Sequence, residues 1–206
     1  MSTETPPRTR ERSSKPDTAT TKIAVALVVV LGTIALIVSL ASGSKSSDPL
    51  LLSASTPLKV TVPSINASST LIPLGQKKDG SLEVPPLSNP GQASWYDKSP
   101  MPGAIGPSVV LGHINGNGKP GVFLNLSKVQ AGQEVFIDRA DGQTAVFTVS
   151  HVDTVPKDNF PSQQVYGDTP DSEIRLITCG GELDRAAHNY LSNVVVYGNL
   201  TSVHKT

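Results

Sequence analysis

From Ile23 to Ala41 the chain is apolar, interrupted only by Gly32, Thr33 and Ser39, and no charge falls between Lys22 and Lys45. At about 1.5 Å per residue, roughly 20 helical residues cross the ~30 Å hydrocarbon layer of a bilayer, whereas the apolar part of a cleaved signal peptide runs to about 7–15 residues. The stretch therefore reads as an uncleaved transmembrane signal anchor, and a buried core helix of this kind would need a larger partner than the chain supplies. Before it, Arg8, Arg10, Arg12, Lys15 and Lys22 outnumber Glu4, Glu11 and Asp17. The positive-inside rule then puts residues 1–22 in the cytoplasm, as a disordered tail with no apolar periodicity, and everything after the span outside.

The exported part carries twelve basic and fourteen acidic side chains, a balance that recommends no nucleic-acid partner. Its single cysteine, Cys179, excludes an intramolecular disulfide, so the thiol is buried and inert, paired with another molecule, or kept free for use. Residues 42–57 read as a linker, with Leu50 to Leu52 able to form a short docking helix, and the folded domain is expected over 58–206.

With 17 Gly, 17 Pro and only 4% aromatic residues, that domain must build its core from Val, Ile and Leu between many turns, which is the composition of an all-β fold. Strands are expected at Leu58–Val62, Thr70–Leu74 (with Pro73 marking an edge), Ser81–Val84, Ser108–Gly112, Gln133–Asp138, Gln143–Val155, around Cys179, and at Asn193–Gly198. Asp79-Gly80 and Asp141-Gly142 are hairpin signals. Residues 85–107, rich in proline, read as a long ordered connection, 123–129 as a single helical turn, and 156–169 as a polar loop. About eight short strands with almost no helix predict a small closed or nearly closed β-barrel. The glycine-rich run after His113 lacks the spacing and the following helix of a phosphate loop.

Chemistry is expected at Ile174 to Gly181, where a short apolar strand delivers Cys179 to a Gly-Gly turn. A thiol of ordinary pKa, about 8.5, needs a basic or cationic neighbour to act at neutral pH. His204 lies in the polar tail and His151 in mid-strand, both positions where histidine is commonly structural. His188, in the loop after the cysteine, competes for the role. His113 has the better claim, because it repeats the design of Cys179: an apolar strand, a reactive side chain at its exit, then a glycine-rich loop.

Leu111-Gly-His113, followed by Leu176-Ile-Thr-Cys179 and then an arginine, all behind one N-terminal anchor, resembles the sortases of Gram-positive bacteria over Leu58 to about Leu200. Asp79-Gly-Ser-Leu-Glu-Val-Pro85, Gly106-Pro-Ser-Val-Val-Leu-Gly-His113, Pro156-Lys157 and Val165-Tyr-Gly167 look most like the actinobacterial class F or class E branches. No aromatic-containing Asp-Pro lid motif of the pilus-building class C type is seen ahead of the domain. The resemblance implies an eight-stranded sortase-like barrel with short helical turns; one cysteine and scattered histidines lack the ligand spacing of a metal site, and no cofactor is expected. It also implies a cysteine transpeptidase that faces the cell wall from the plasma membrane. Its partners would be exported proteins with C-terminal LPxTG-like sorting signals and a peptidoglycan precursor or stem-peptide amine. By the same analogy Cys179 attacks the threonine carbonyl of the signal, His113 protonates the leaving amine, and an arginine stabilises the oxyanion. Many sortases place that arginine at the start of the last strand, which here reads Ser192-Asn193-Val194. Arg185 is the better match to the class F pattern, Arg175 shares strand parity with Cys179, and Thr178 is the residue that would support the oxyanion or the substrate amide.

Two other readings compete. An L,D-transpeptidase would keep its cysteine in a Ser-x-Gly-Cys setting that Ile177-Thr178-Cys179-Gly180 does not reproduce. A membrane-tethered, non-enzymatic β-barrel binding module would leave Cys179 buried and inert.

Overall fold

The computed structural model describes residues 50–205, so the expected tail 1–22, anchor 23–41 and first part of the linker lie outside the described residues. Among the described residues no helix is long and apolar enough to cross a membrane.

The described residues form ten strands: β1 (Pro57–Val62), β2 (Ala67–Leu74), β3 (Ala93–Tyr96), β4 (Gly106–Gly112), β5 (Asn115–Gly116), β6 (Lys119–Pro120), β7 (Glu134–Arg139), β8 (Gln143–Pro156), β9 (Ser172–Asp184) and β10 (Asn189–Lys205). Eight of them close a barrel in the order β1-β2-β3-β4-β9-β10-β8-β7, while β5 and β6 pair by themselves as a small hairpin. Closure removes the unpaired edges that an open sheet would present to other chains. The expected all-β barrel is the one observed.

Alternation along the strands sorts the apolar residues into two layers. Val60, Val62, Val110, Ile137, Phe147, Ile174, Leu176, Val194 and Val196 fill the barrel interior. Val109, Leu111, Ile177, Val195 and Tyr197 point outward and are covered by Val165, with Phe160 and Tyr166 packed alongside. That cover is the segment after β8, a 3-10 turn at Lys157–Asn159 followed by the short helix α1 (Ser162–Tyr166). The expectation of a polar loop over 156–169 is corrected accordingly.

Other expectations shift in detail. Ser81–Val84 forms no strand; the Asp79-Gly80 turn is present, but only a single bridge, Gln76 to Leu82, follows it. The proline-rich connection contains β3, whose Ala93, Ser94 and Trp95 are buried. Pro73 sits where β2 pairs with β3 alone, so its missing N–H costs no bond toward β1. His204 belongs to β10, opposite Thr144 of β8, rather than to a tail. Leu50 to Leu52 form no helix. Instead Leu52 bonds to the Gly103 carbonyl, and Ser53, Ser55 and Thr56 bond to Arg139, Asp141 and Ala140, so these last linker residues are part of the barrel's packing.

Candidate active site

β4 and β9 are neighbours and run parallel, in a register that sets Leu111 beside Ile177. Two residues further along each strand stand His113 and Cys179. Because the strands are parallel, both exits fall at the same rim. Because Leu111 and Ile177 face the outer layer, the shared parity turns His113 and Cys179 to that outer side as well. Cys179 is half-buried, and two grooves meet at it.

One groove, about 580 Å³, is walled by Tyr96, Leu111, Ile177, Phe160, Tyr166 and Lys157. Burial in that wall, with Tyr96 and Tyr197 nearby, pushes the Tyr166 hydroxyl up to about 12, so it stays neutral through the physiological range. The other groove, about 380 Å³, is lined by His113, Cys179, Leu87, Leu183, His188 and Tyr190, among others. Leu87 and Leu183, on the second groove, and Val84, on the first, are exposed apolar side chains. Asn115 donates to the Tyr190 hydroxyl at 2.9 Å, tying the β5–β6 hairpin to the β9–β10 hairpin across the second groove.

His113 Nε2 lies 2.6 Å from the Pro85 carbonyl oxygen. A carbonyl can only accept, so this bond assigns a proton to Nε2 in either charge state and leaves Nδ1 as the nitrogen that exchanges one. The glycine-rich run behind His113 folds back on it: the Phe123 N–H donates to the His113 carbonyl, and a Cβ on Gly121 would lie 2.0 Å from that same oxygen. The run holds the histidine and forms no phosphate loop.

The other expected site residues are placed differently. Thr178 alternates with Cys179, so its side chain turns into the barrel, where its hydroxyl is buried without a hydrogen-bond partner among the described residues. Arg175 shares the face of Cys179 but stands about 13 Å up the strand, at ~3.3 Å per residue. It is buried, paired with Glu173 at 2.7 Å and set over the Tyr197 ring at 4.6 Å. Arg185 is exposed in the β9–β10 turn and lines neither groove at Cys179. His151 stacks on Tyr197, 4.2 Å between ring centres, in keeping with a structural role.

The cation that does reach Cys179 is Lys157, whose Nζ is 3.6 Å from Sγ and 2.7 Å from Asn189 Oδ1. Only the Pro156-Lys157 phrase hinted at this residue in the sequence. Its signal is the same strand-exit logic: β8 runs in the direction of β9, Val155 and Cys179 both pair with Asn193 of β10, and Lys157 follows Val155 by two residues.

A partly exposed thiol at the rim of a closed β-barrel, with an imidazole leaving the neighbouring strand, defines a cysteine acyl-transfer enzyme. The model of the sortase domain matches residues 60–201, and the chain belongs to the sortase family, a family of cysteine transpeptidases. No curated protein sequence matches the chain. Among solved structures, sortase A of Corynebacterium diphtheriae, in a lid mutant, superposes with a TM-score of 0.56 at 16% identity, covering 73% of each chain. Sortase A of Listeria monocytogenes gives 0.55 at 19%, covering 75% of this chain and 92% of its own. Sortase C1 of Streptococcus agalactiae, in complex with MTSET, gives 0.55 at 18%, covering 74% and 70%. At these identities the likeness is one of fold. Family membership and the half-exposed thiol together set aside the reading of a binding module with an inert cysteine.

Proposed function

We propose that this protein is a membrane-anchored sortase that cleaves an LPxTG-like sorting signal and transfers the attached protein to a cell-wall amine. Residues 23–41 are its single membrane span, with the N-terminus cytoplasmic and the barrel outside, facing the wall. The observation that carries the reading is the parallel register of β4 and β9, which brings His113 and Cys179 to one rim where two grooves meet.

The apolar groove takes the sorting signal, and the His113 groove takes the departing and then the incoming amine. Cys179 Sγ attacks the scissile carbonyl carbon, forming the S–C bond and driving the carbonyl electron pair onto oxygen. On collapse the C–N bond breaks, and His113 gives its exchangeable proton to the leaving amine. The acceptor amine then attacks the thioester, returns a proton to His113 and releases Cys179. One amide is exchanged for another, with no change in oxidation state.

The test is cleavage of a quenched LPxTG peptide by the full-length protein in detergent. Turnover is expected in the wild type, with Cys179→Ala inactive and His113→Ala reduced about 10²–10⁴-fold. His188→Ala, on the same groove, is expected to lose far less. Full turnover by Cys179→Ala would sink the reading.

A further inference from the structure

We infer that Lys157 is the catalytic cation of this enzyme, in the place where the sequence pattern pointed to Arg185. The inference rests on Cys179 being the nucleophile. A group that stabilises the tetrahedral oxyanion must stand near the sulfur, because the oxyanion is bonded to the carbon that sulfur has just attacked. Lys157 Nζ is 3.6 Å from Sγ. The arginines are elsewhere: Arg175 is engaged by Glu173 and Tyr197, Arg139 by Asp141, and Arg185, although the β9–β10 hairpin lines the second groove through Leu183, His188, Asn189 and Tyr190, is exposed and lines neither groove itself.

The position of Lys157 is built into the fold. β4, β9 and β8 all run toward the same rim, and each delivers one polar group there: His113 just after β4, Cys179 near the end of β9, Lys157 just after β8. Asn189, on the β9–β10 hairpin, accepts a 2.7 Å bond from the ammonium and aims it across the strand between them. The anchor is a neutral amide. Among the described residues no carboxylate pairs with Lys157, so its charge is not cancelled before substrate arrives. In the resting enzyme the ammonium is in contact with the sulfur; in the tetrahedral intermediate the same three-donor head faces the oxyanion, where an oriented donor is worth about 10²–10³ in rate. The titratable groups facing Cys179 across the two grooves are Lys157, Tyr96, Tyr166, His113, His188 and Tyr190, and Lys157 is the only lysine or arginine among them.

Two measurements on the full-length protein in detergent test this. The first is the pH dependence of Cys179 alkylation by iodoacetamide, which needs no substrate. Lys157→Met is expected to slow alkylation at pH 7 about tenfold while leaving the high-pH plateau unchanged, and Lys157→Arg to restore most of the loss. The second is peptide cleavage, where Lys157→Met is expected to lower kcat about 10²–10³-fold with KM changed little, and by at least tenfold more than Arg185→Ala does. Thermal melting of each variant checks folding, and Lys157→Gln replaces Lys157→Met if the latter does not fold. A wild-type alkylation profile and kcat in the charge-removed variant would overturn the inference, as would a larger loss in Arg185→Ala. If Cys179→Ala is dead and Lys157→Met is not, Lys157 alone is refuted. If the wild type cleaves no LPxTG peptide, the substrate reading fails and the alkylation profile still decides whether Lys157 acts on the thiol.

Discussion

His113 depends on a glycine eight positions away in the chain. Gly121 lies against the His113 carbonyl, and an added methyl at 2.0 Å from that oxygen must displace the backbone that carries the imidazole. A misplacement of about 1 Å in a reacting group can cost 10²-fold, so Gly121→Ala is expected to lower kcat/KM about 10–100-fold in a protein that still folds. Gly118→Ala is the control. Gly118 has a positive φ, +71°, which Gly121 does not, but nothing stands within 4 Å of its would-be Cβ, so only about 1 kcal/mol of backbone strain is expected and activity is retained. Peptide cleavage and melting of the two variants side by side check this. At this scale the meeting of Cys179 and His113 at one rim was legible in the sequence, because a reactive side chain that follows an apolar strand segment is a local pattern. Lys157 was hidden, since its approach to Cys179 depends on a register running across β10, which no local pattern encodes. The strand parity that placed Arg175 on the face of Cys179 was correct, but it carried no information about the Glu173 and Tyr197 contacts that hold it away.

Among the elements, the segment from Lys157 to Tyr166 is the one the sequence disguised. Its helix has only five residues, too few for a 3.6-residue apolar period to emerge, and polar Ser162, Gln163 and Gln164 dominate it. β3 was hidden in the same way, as four residues inside a proline-rich run. The longer strands β7 and β8 were legible, as was closure, because the chain offers enough strands and no helix to cover an open sheet; the short apolar strand expected to end at a Gly-Gly turn after Cys179 instead runs on through Gly180 and Gly181 to Asp184 as β9. At β1 the alternation misled by one residue: a bulge between Pro57 and Lys59 leaves Leu58 exposed while Val60 and Val62 face inward. The groove wall is secured by Val165, fully buried against the outer layer of β4, β9 and β10. Val165→Ala removes two methyl groups from that contact, worth about 1.5–2 kcal/mol at ~0.8 kcal/mol per carbon. Because the segment lies outside the closed barrel, the loss should appear as local opening. Hydrogen exchange is expected to quicken roughly tenfold over 157–169, with β9 and β10 unchanged; equal loss of protection in the barrel would contradict this layered view.

On the scale of the molecule, the two poles of the barrel are specialised. β4, β8 and β9 end at the pole that carries His113, Lys157 and Cys179, and the last linker residues, 52–56, are fastened at the opposite pole, near the starts of β4 and β8. The fastening centres on Arg139, which is buried and donates to the carbonyls of Pro102 and Ser53 and to Asp141, at 2.6 Å and 2.7 Å for the last two. Charged donors to buried carbonyls are worth about 1.5–3 kcal/mol each, and Arg139→Met strands two such carbonyls. A loss of about 2–4 kcal/mol is expected, read as a fall in Tm of roughly 5–15 °C. The same variant carries a pH signature. The Arg139 hydrogen bond, aided by the Gln143 N–H, holds the Asp141 carboxyl below its ordinary 3.8. A carboxyl whose folded value is depressed stabilises the fold above the unfolded value, and that contribution disappears as pH falls through the folded one. The Tm gap between wild type and Arg139→Met should therefore be full at neutral pH and narrow as the solution is acidified below about 3.8, leaving only the part due to the carbonyls. Melting both proteins from pH 7 down to pH 2 measures it, and a gap that widens on acidification would mean that Asp141 is not the group Arg139 serves.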